Sequence, residues 1–457
     1  MNENRADSQV LIVGLWHLGT VAAACWAHLG WTVTAVDPDP ERVALLRTGR
    51  APVAEPGLDA LLAGGVAAGR LTFSDDLTAT ARTAHTAVVA FDTPVDERDA
   101  VDLSPIETAV DRLGTMMPDG SLIVVMSQVP VGTCARFRAE LAARRGPGAP
   151  AIACSPENLR LGLAVERFLA PGFVILGGDD PVTLERAERL FEGIDGEVLP
   201  MDTTSAELCK HTINAYLATC ISLGNELGNL AEHLGADAGR VARAVAHDPR
   251  IGPSTPLSPG LAFGGGTLAR DLRVLRDAGD RAGVETAMLD AVAAVNARQN
   301  AVVIQKLRAE LGTLEGAAIA LLGLTYKAGT STIRRSPAIE IAGLLREAGA
   351  SVRAYDPLAD PAEVDRLPAG FVRVASAADA LEGADAVVLA TEWPEFAALD
   401  WDALGRLVRS RLIVDARNVL DPAALTAAGW RHHGIGRPPA GARHERGAAA
   451  PAGSPHR

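Results

Sequence analysis

Lys210 and Asn214 stand four residues apart in the stretch AELCKHTINAYLA, and Glu207 precedes Lys210 by three. On a helix these spacings bring the three side chains to one face. A lysine whose pKa is drawn down by burial or by a neighbouring cation can take the proton of an alcohol, and an asparagine one turn along can hold the oxygen. The cluster is therefore a candidate for proton-transfer chemistry. It also suits two plainer arrangements, an ion pair in a solvated first turn and a pair of residues that only hydrogen-bonds a ligand.

A second group lies near the N-terminus. Val10 to Val13 form a short apolar run, followed by GLWHLG, the helical VAAACWAHLG, and VTAVD ending at Asp37. Strand, glycine turn, helix, and an acid some twenty residues on outline a dinucleotide-binding unit, with pyrophosphate at the helix start and ribose hydroxyls on the acid. Gly14 and Gly19 take the first and third places of GxGxxG, and Trp16 takes the second, where a residue without a side chain normally lets phosphate approach. The acid at Asp37 favours NAD over NADP, because a carboxylate repels a 2′-phosphate. Trp16 must then turn its ring aside, or the dinucleotide must sit displaced.

The elements that position these groups follow from periodicity. From Asp202 to about Leu234 nothing breaks a helix, which at about thirty residues reaches ~45 Å and spans more than one small domain. Thr204 and Glu207 read as a capping box at its start. Leu208, Ile213, Leu217, Ile221, Leu227 and Leu230 cover more than one stripe, as on a helix packed on several sides. Strands are expected near Ala87 to Ala90, Leu122 to Met126, Ala151 to Cys154 and Val174 to Gly177, with DTP (Asp92 to Pro94), SQVPVGT (Ser127 to Thr133) and SPENLRLG (Ser155 to Gly162) in the loops after them. Gly264 to Gly266 permit a tight backbone approach to a ligand or another element, or a nest for an anion. Helices resume from Leu268 to Leu311. A second βα pattern starts at Ala317, and Asp356 echoes Asp37 within it. The fold class is α/β: two Rossmann-like, doubly wound domains joined by a long central helix. The boundaries are 1–200, 201–313 and 314–436, with 437–457 a disordered tail of Ala, Gly, Pro and Arg.

Composition narrows the function. A chain of 457 residues suggests two or three domains, and 48% hydrophobic residues can fill real cores. Net charge of -13 and a pI near 5.3 argue against a nucleic-acid surface. Five cysteines without a CxxC pair indicate neither a disulfide framework nor a metal site, and fit a reduced cytoplasmic setting. Val10 to Val36 lacks Asp, Glu, Lys and Arg, but its glycines and two histidines oppose a membrane span.

Taken in order, EPGL (Glu55 to Leu58), the Thr93 and Pro94 pair, VPVGT, PENL, AELCKHTINAYLA, RIG (Arg250 to Gly252), FGGG (Phe263 to Gly266), GLTYK and RRSPA resemble the UDP-glucose and GDP-mannose dehydrogenase family from about Val10 to Arg437. The resemblance implies an NAD-binding domain, a dimer-forming helix, a C-terminal nucleotide-sugar domain, and oxidation of a sugar C6 alcohol to a carboxylate through a cysteine thioester. It implies that Asp37 and Arg42 face the adenosine ribose, with Gly14, Gly19, Thr93, Gln128 and Arg334 elsewhere along the cofactor. It places Lys210, Asn214, Glu157, Leu159, Gly264 and Lys327 at the sugar nucleotide, Arg250 across a homodimer, and Glu157 and Asp271 in the acid, base and water network. The family's FGGSCFPKD reads FGGGTLARD here, so Thr267 stands in place of the nucleophilic cysteine and Arg270 in place of lysine. Gln128 replaces a threonine, and Leu161 a glutamate. A threonine hydroxyl is a poor nucleophile without an activating base. The reading is a two-electron oxidation of a nucleotide sugar. A four-electron route through the aldehyde hydrate and a non-catalytic sugar-nucleotide binder are the alternatives.

Overall fold

The computed structural model describes residues 9–93, 101–157, 159–364 and 371–438. Pro94, Asn158 and the tail from residue 439, all invoked above, lie outside them, as do the first eight residues. The chain divides into two compact units, one of residues 1–214 with 270–285 and the other of 215–269 with 286–457.

The first unit is built on an eight-stranded sheet in the order β3-β2-β1-β4-β5-β6-β7-β8. Its strands are Gln9–Val13 (β1), Thr32–Val36 (β2), Leu71–Ser74 (β3), Thr86–Val89 (β4), Leu122–Val125 (β5), Ala151–Cys154 (β6), Gly172–Gly178 (β7) and Gly196–Met201 (β8). All neighbours run parallel except β6 and β7. The inner strands are apolar on both faces, as a sheet covered on both sides requires. Strand order reverses between β1 and β4, which is where a doubly wound sheet opens a ligand crevice.

Helix His17–His28 (α1) follows β1 through the glycine turn, and Pro40–Arg47 (α2) follows β2. Gly14 has φ +96°, and a Cβ on Gly19 would sit 1.7 Å from the Gly14 carbonyl oxygen, so both positions require glycine. The long helix runs from Thr203 to His233. The capping box is not formed. Asp202 accepts the Ser205 amide at 2.9 Å instead. Glu207 points to another element, where it accepts the amides of Gly132 at 2.6 Å and Cys134 at 2.8 Å at the start of helix Thr133–Arg145. A carboxylate at a helix N-terminus is satisfied twice over, by hydrogen bonds and by the dipole.

The second unit carries a six-stranded, all-parallel sheet in the order β11-β10-β9-β12-β13-β14. These strands are Ala318–Leu322 (β9), Ser351–Tyr355 (β10), Phe371–Arg373 (β11), Ala386–Leu389 (β12), Leu412–Asp415 (β13) and Arg431–Gly434 (β14). The echo of the first module is geometric. Gly323, at φ +93°, matches Gly14, and the following amide donates to the acid in each module, Leu324 to Asp356 at 2.7 Å and Leu15 to Asp37 at 2.6 Å. Asp356 is then consumed by structure, for it also accepts the amide and hydroxyl of Thr325, the amides of Leu358 and Ala359, and the Trp393 indole. The helices expected from 268 to 311 are three, Thr267–Ala282, Ala287–Gln299 and Ala301–Leu311, the first break falling at Gly283 with φ +68°.

Candidate active site

In the first unit the dinucleotide motif assembles around Asp37, which is fully buried. Its Oδ1 accepts the Arg42 guanidinium at 2.8 Å and the Asp39 amide at 2.9 Å. Among the described residues Oδ2 accepts the Leu15 amide alone, so it retains capacity for a ribose hydroxyl. Beside it lies a cavity of about 240 Å³ lined by Val13, Val36, Pro38, Leu77, Phe91 and Ala109, an apolar slot of the kind a purine fills. The residues fit an NAD molecule, with Gly14, Gly19 and the start of α1 at the diphosphate, Asp37 at the ribose and the slot at the adenine. One group opposes this fit. The first amides of α1, which would take the diphosphate, donate to Asp92 Oδ2, from His17 at 3.0 Å and Leu18 at 3.4 Å. His17 is tied in turn through Nε2 to Glu55 Oε1 at 2.8 Å, and Glu55 also accepts the amides of Gly162 and Ala164. Glu55 of the EPGL stretch thus joins the start of α1 to the loop that carries Glu157.

The second site in this unit centres on Asp271, a buried carboxylate with donors on both oxygens. Oδ2 accepts the Gln128 amide at 2.6 Å and the Asn214 amide; Oδ1 accepts Arg270 Nε at 3.1 Å and faces His211 Nδ1 at 3.3 Å. Arg270 also donates to Gln128 Oε1. The Thr93 hydroxyl donates to the Gln128 carbonyl at 2.7 Å. Burial pushes the Asp271 carboxyl up, but the His211 hydrogen bond, the Arg270 charge and the Asn214 amide outweigh it and hold the group below the usual carboxylate range. It is an ionised anchor, with little capacity left to act as a base.

Lys210 is buried on the same helix as Asn214. Burial lowers its pKa, opposed by the charges of Glu157 and Asp271 and assisted by that of Arg270. Glu157, in the loop after β6, moves the other way. Burial raises it, against the Lys210 charge and a hydrogen bond from the Leu159 amide. The structure therefore brings together Lys210, Asn214, Glu157, Leu159, Gln128, Thr93 and Asp271. Sequence reading quoted Glu55, Asp92 and His211 within EPGL, DTP and AELCKHTINAYLA but gave none of them a role. The signal for His211 was available, since it follows Lys210 in a buried stretch.

The remaining expected residues belong to the second unit. A Cβ on Gly264 would lie 2.6 Å from Pro337 Cδ, and the Gly265 amide donates to the Arg335 carbonyl at 3.1 Å. The glycine loop thus serves close approach to another element, the turn of Arg334 and Arg335, where Arg335 is held at φ +54°. Tyr326 sits against Gly265 and beneath the Lys327 ammonium, so Gly264, Lys327 and Arg334 lie on converging loops. Thr267 is exposed at the first turn of its helix. Arg250 is exposed and forms a two-point pair with Asp248, at 3.0 and 2.7 Å.

All five cysteines are unpaired. Cys134 and Cys154 converge with Glu207, their ligating atoms within 4.8 Å of one another, but the Glu207 oxygens are engaged as helix caps. A hydrogen bond with Cys154, and then burial, hold the Cys134 thiol well above its usual range, which disqualifies it as a nucleophile.

A dinucleotide crevice at the switch point of the sheet, with a buried lysine and asparagine in the same unit, defines an NAD-dependent dehydrogenase acting on CH–OH groups. Comparison with known proteins specifies it. The chain matches the NAD-binding domain of the UDP-glucose/GDP-mannose dehydrogenase family over residues 8–195, the central domain over 204–298 and the UDP-binding domain over 320–422. It is 36% identical to the UDP-glucose 6-dehydrogenase of Pseudomonas aeruginosa, over 95% of this chain and 98% of that one. It is 31% identical to UDP-glucose 6-dehydrogenase TuaD of Bacillus subtilis, over 94% of this chain and 93% of that protein. The structure of a UDP-glucose dehydrogenase from Pyrobaculum islandicum superposes with a TM-score of 0.86 at 32% identity, covering 96% of this chain and 99% of that one. This chain belongs to the UDP-glucose/GDP-mannose dehydrogenase family, and its cofactor is NAD.

Asp92→Asn keeps a side-chain acceptor for the α1 amides but removes a charge from the place of the diphosphate. The variant is expected to bind NAD about 3- to 10-fold more tightly in titration calorimetry, an effect that shrinks as salt is raised.

Proposed function

We propose that this enzyme oxidises the C6 alcohol of a UDP-sugar, UDP-glucose or a close analogue, and that it stops after two electrons. The observation that carries the reading is the buried Lys210 and Asn214 pair beside an ionised, hydrogen-bonded Asp271. NAD, when bound, accepts the hydride. Lys210 takes the hydroxyl proton, and its depressed pKa gives it a share of the neutral form that an exposed lysine lacks. Asn214, oriented by Asp271, holds the alcohol oxygen. Glu157, protonated more readily than an ordinary carboxyl, faces the same lysine and assists the proton's departure. Gly264, Lys327 and Arg334 of the second unit take the nucleotide side of the substrate and cofactor, and Arg250 reaches a neighbouring protomer's site.

The extent of reaction follows from Thr267. A threonine there supplies no thiol to capture the aldehyde, and the buried Cys134 is too weakly acidic to substitute for one. Under single-turnover conditions the enzyme is expected to form one NADH per sugar and to release an aldehyde or its hydrate, identified by mass spectrometry. Two NADH with a uronic acid would establish the four-electron route instead.

Lys210→Ala is expected to lower kcat by about 10²- to 10⁴-fold. In the wild type kcat/KM should rise with pH as Lys210 loses its proton, and level off below the ordinary lysine value of 10.5, because burial depresses this group. That limb should be missing from the pH profile of the variant.

Assembly rests on the long helix. Tyr216, Leu223, Leu227 and Leu230 are 47–56% exposed at spacings that form one helical stripe, and Leu234, just past the end of the helix, is 67% exposed. A stripe of this size is a protein interface more often than a solvated surface, and we assign it to a homodimer in the cytoplasm. Among the described residues no helix is long and apolar enough to cross a membrane. Leu227→Glu is expected to yield a monomer by light scattering at micromolar concentration, where the wild type has twice that mass.

A further inference from the structure

The second place of the glycine turn is held by a tryptophan, and its surroundings give it a specific task. Trp16 caps α1 with its backbone and makes no side-chain capping bond. Its half-exposed ring covers Arg42, whose Cζ lies 5.2 Å from the ring centroid. The edge of the same guanidinium is taken by two carboxylates, NH1 by Asp37 Oδ1 at 2.8 Å and NH2 by Asp39 Oδ2 at 3.2 Å. Asp37 is itself pinned by the amides of Leu15 and Asp39. At the end of β2, beside the apolar slot, the indole therefore covers the face of the guanidinium while the two carboxylates hold its edge.

In dinucleotide folds this corner decides between the two nicotinamide cofactors. An acid at the end of the second strand accepts the ribose 2′-hydroxyl, whereas an arginine free to turn outward accommodates a 2′-phosphate. Arg42 is placed to do the second, yet its edge is neutralised by carboxylates and one face is covered by the indole. We propose that Trp16 is a cofactor-specificity residue: its ring locks Arg42 onto Asp37 and Asp39, so that the subsite offers an acid to a ribose hydroxyl and no mobile cation to a 2′-phosphate. This gives a physical reason for a large side chain where phosphate approach ordinarily favours glycine. The ring is drawn toward Arg42 by a cation–π contact, which is strongest for tryptophan among the aromatic residues.

The test is a comparison of Kd values for NAD and NADP on the full chain, by titration calorimetry without sugar nucleotide, with folding checked by circular dichroism. Trp16→Ala should shift the ratio of the two Kd values toward NADP by about 3- to 10-fold, the range of a partly exposed cation–π contact. Trp16→Leu keeps the bulk without the ring face and should behave like alanine. Trp16→Phe retains a ring and should preserve most of the discrimination. The gain in NADP binding must disappear in the double variant Trp16→Ala with Arg42→Ala, because Arg42 is the group set free. An unchanged ratio in Trp16→Ala, including equal weakening for both cofactors, overturns the proposal. So does a gain that survives loss of Arg42.

Discussion

A buried carboxylate has to be surrounded by donors or it will not stay charged, and Asp271 meets that demand from two segments distant in sequence and from its own helix. Gln128 comes from the loop after β5, Asn214 from the long helix, and Arg270 from the start of the helix that carries Asp271 itself, while His211 Nδ1 faces the same carboxylate from the long helix. Removing water from a charge costs several kcal/mol, so each of these donors is held as firmly as the acid requires. The consequence for chemistry is a division of labour. Asp271 is an anchor, Asn214 is oriented by it, and Lys210 is left beside it with its own charge disfavoured by burial.

The same device recurs through the first unit. Glu207 leaves its own helix to cap the Thr133 helix, and Glu55 ties His17 to the backbone at Gly162 and Ala164. Buried acids here act as staples between loops at the ends of strands. A few charge-assisted hydrogen bonds thus set the geometry of these loops. The two modules show how one design diverges. Asp37 and Asp356 sit at equivalent turns and accept equivalent amides, yet Asp37 keeps a lone pair for a ligand while Asp356 is filled by Thr325, Leu358, Ala359 and Trp393.

Two positions that depart from the family pattern in sequence are physically joined. Gln128 accepts from Arg270, and both contact Asp271, so the longer amide and the guanidinium act together around one carboxylate. Read one at a time, each substitution resembles damage. Joined, they fill hydrogen-bonding capacity of Asp271 that a single substitution would leave open.

The sequence by itself determined the two α/β modules, a long helix from Asp202 to about Leu234 that the structure has at Thr203–His233, and the spacing of Lys210 and Asn214, because strand runs, helical spacing and glycine turns are local patterns with fixed periods. It also carried the family, through many short motifs in order. Local pattern could not tell that Glu207 caps a different helix from its own, that Asp356 is saturated, or that Asp92 occupies the first amides of α1. Nor could it tell that Trp16 turns onto Arg42. Each of these depends on which hydrogen-bonding or charged partner is nearest in space, and the competition among partners tens of residues apart is settled only when the sheet and its helices have closed around them.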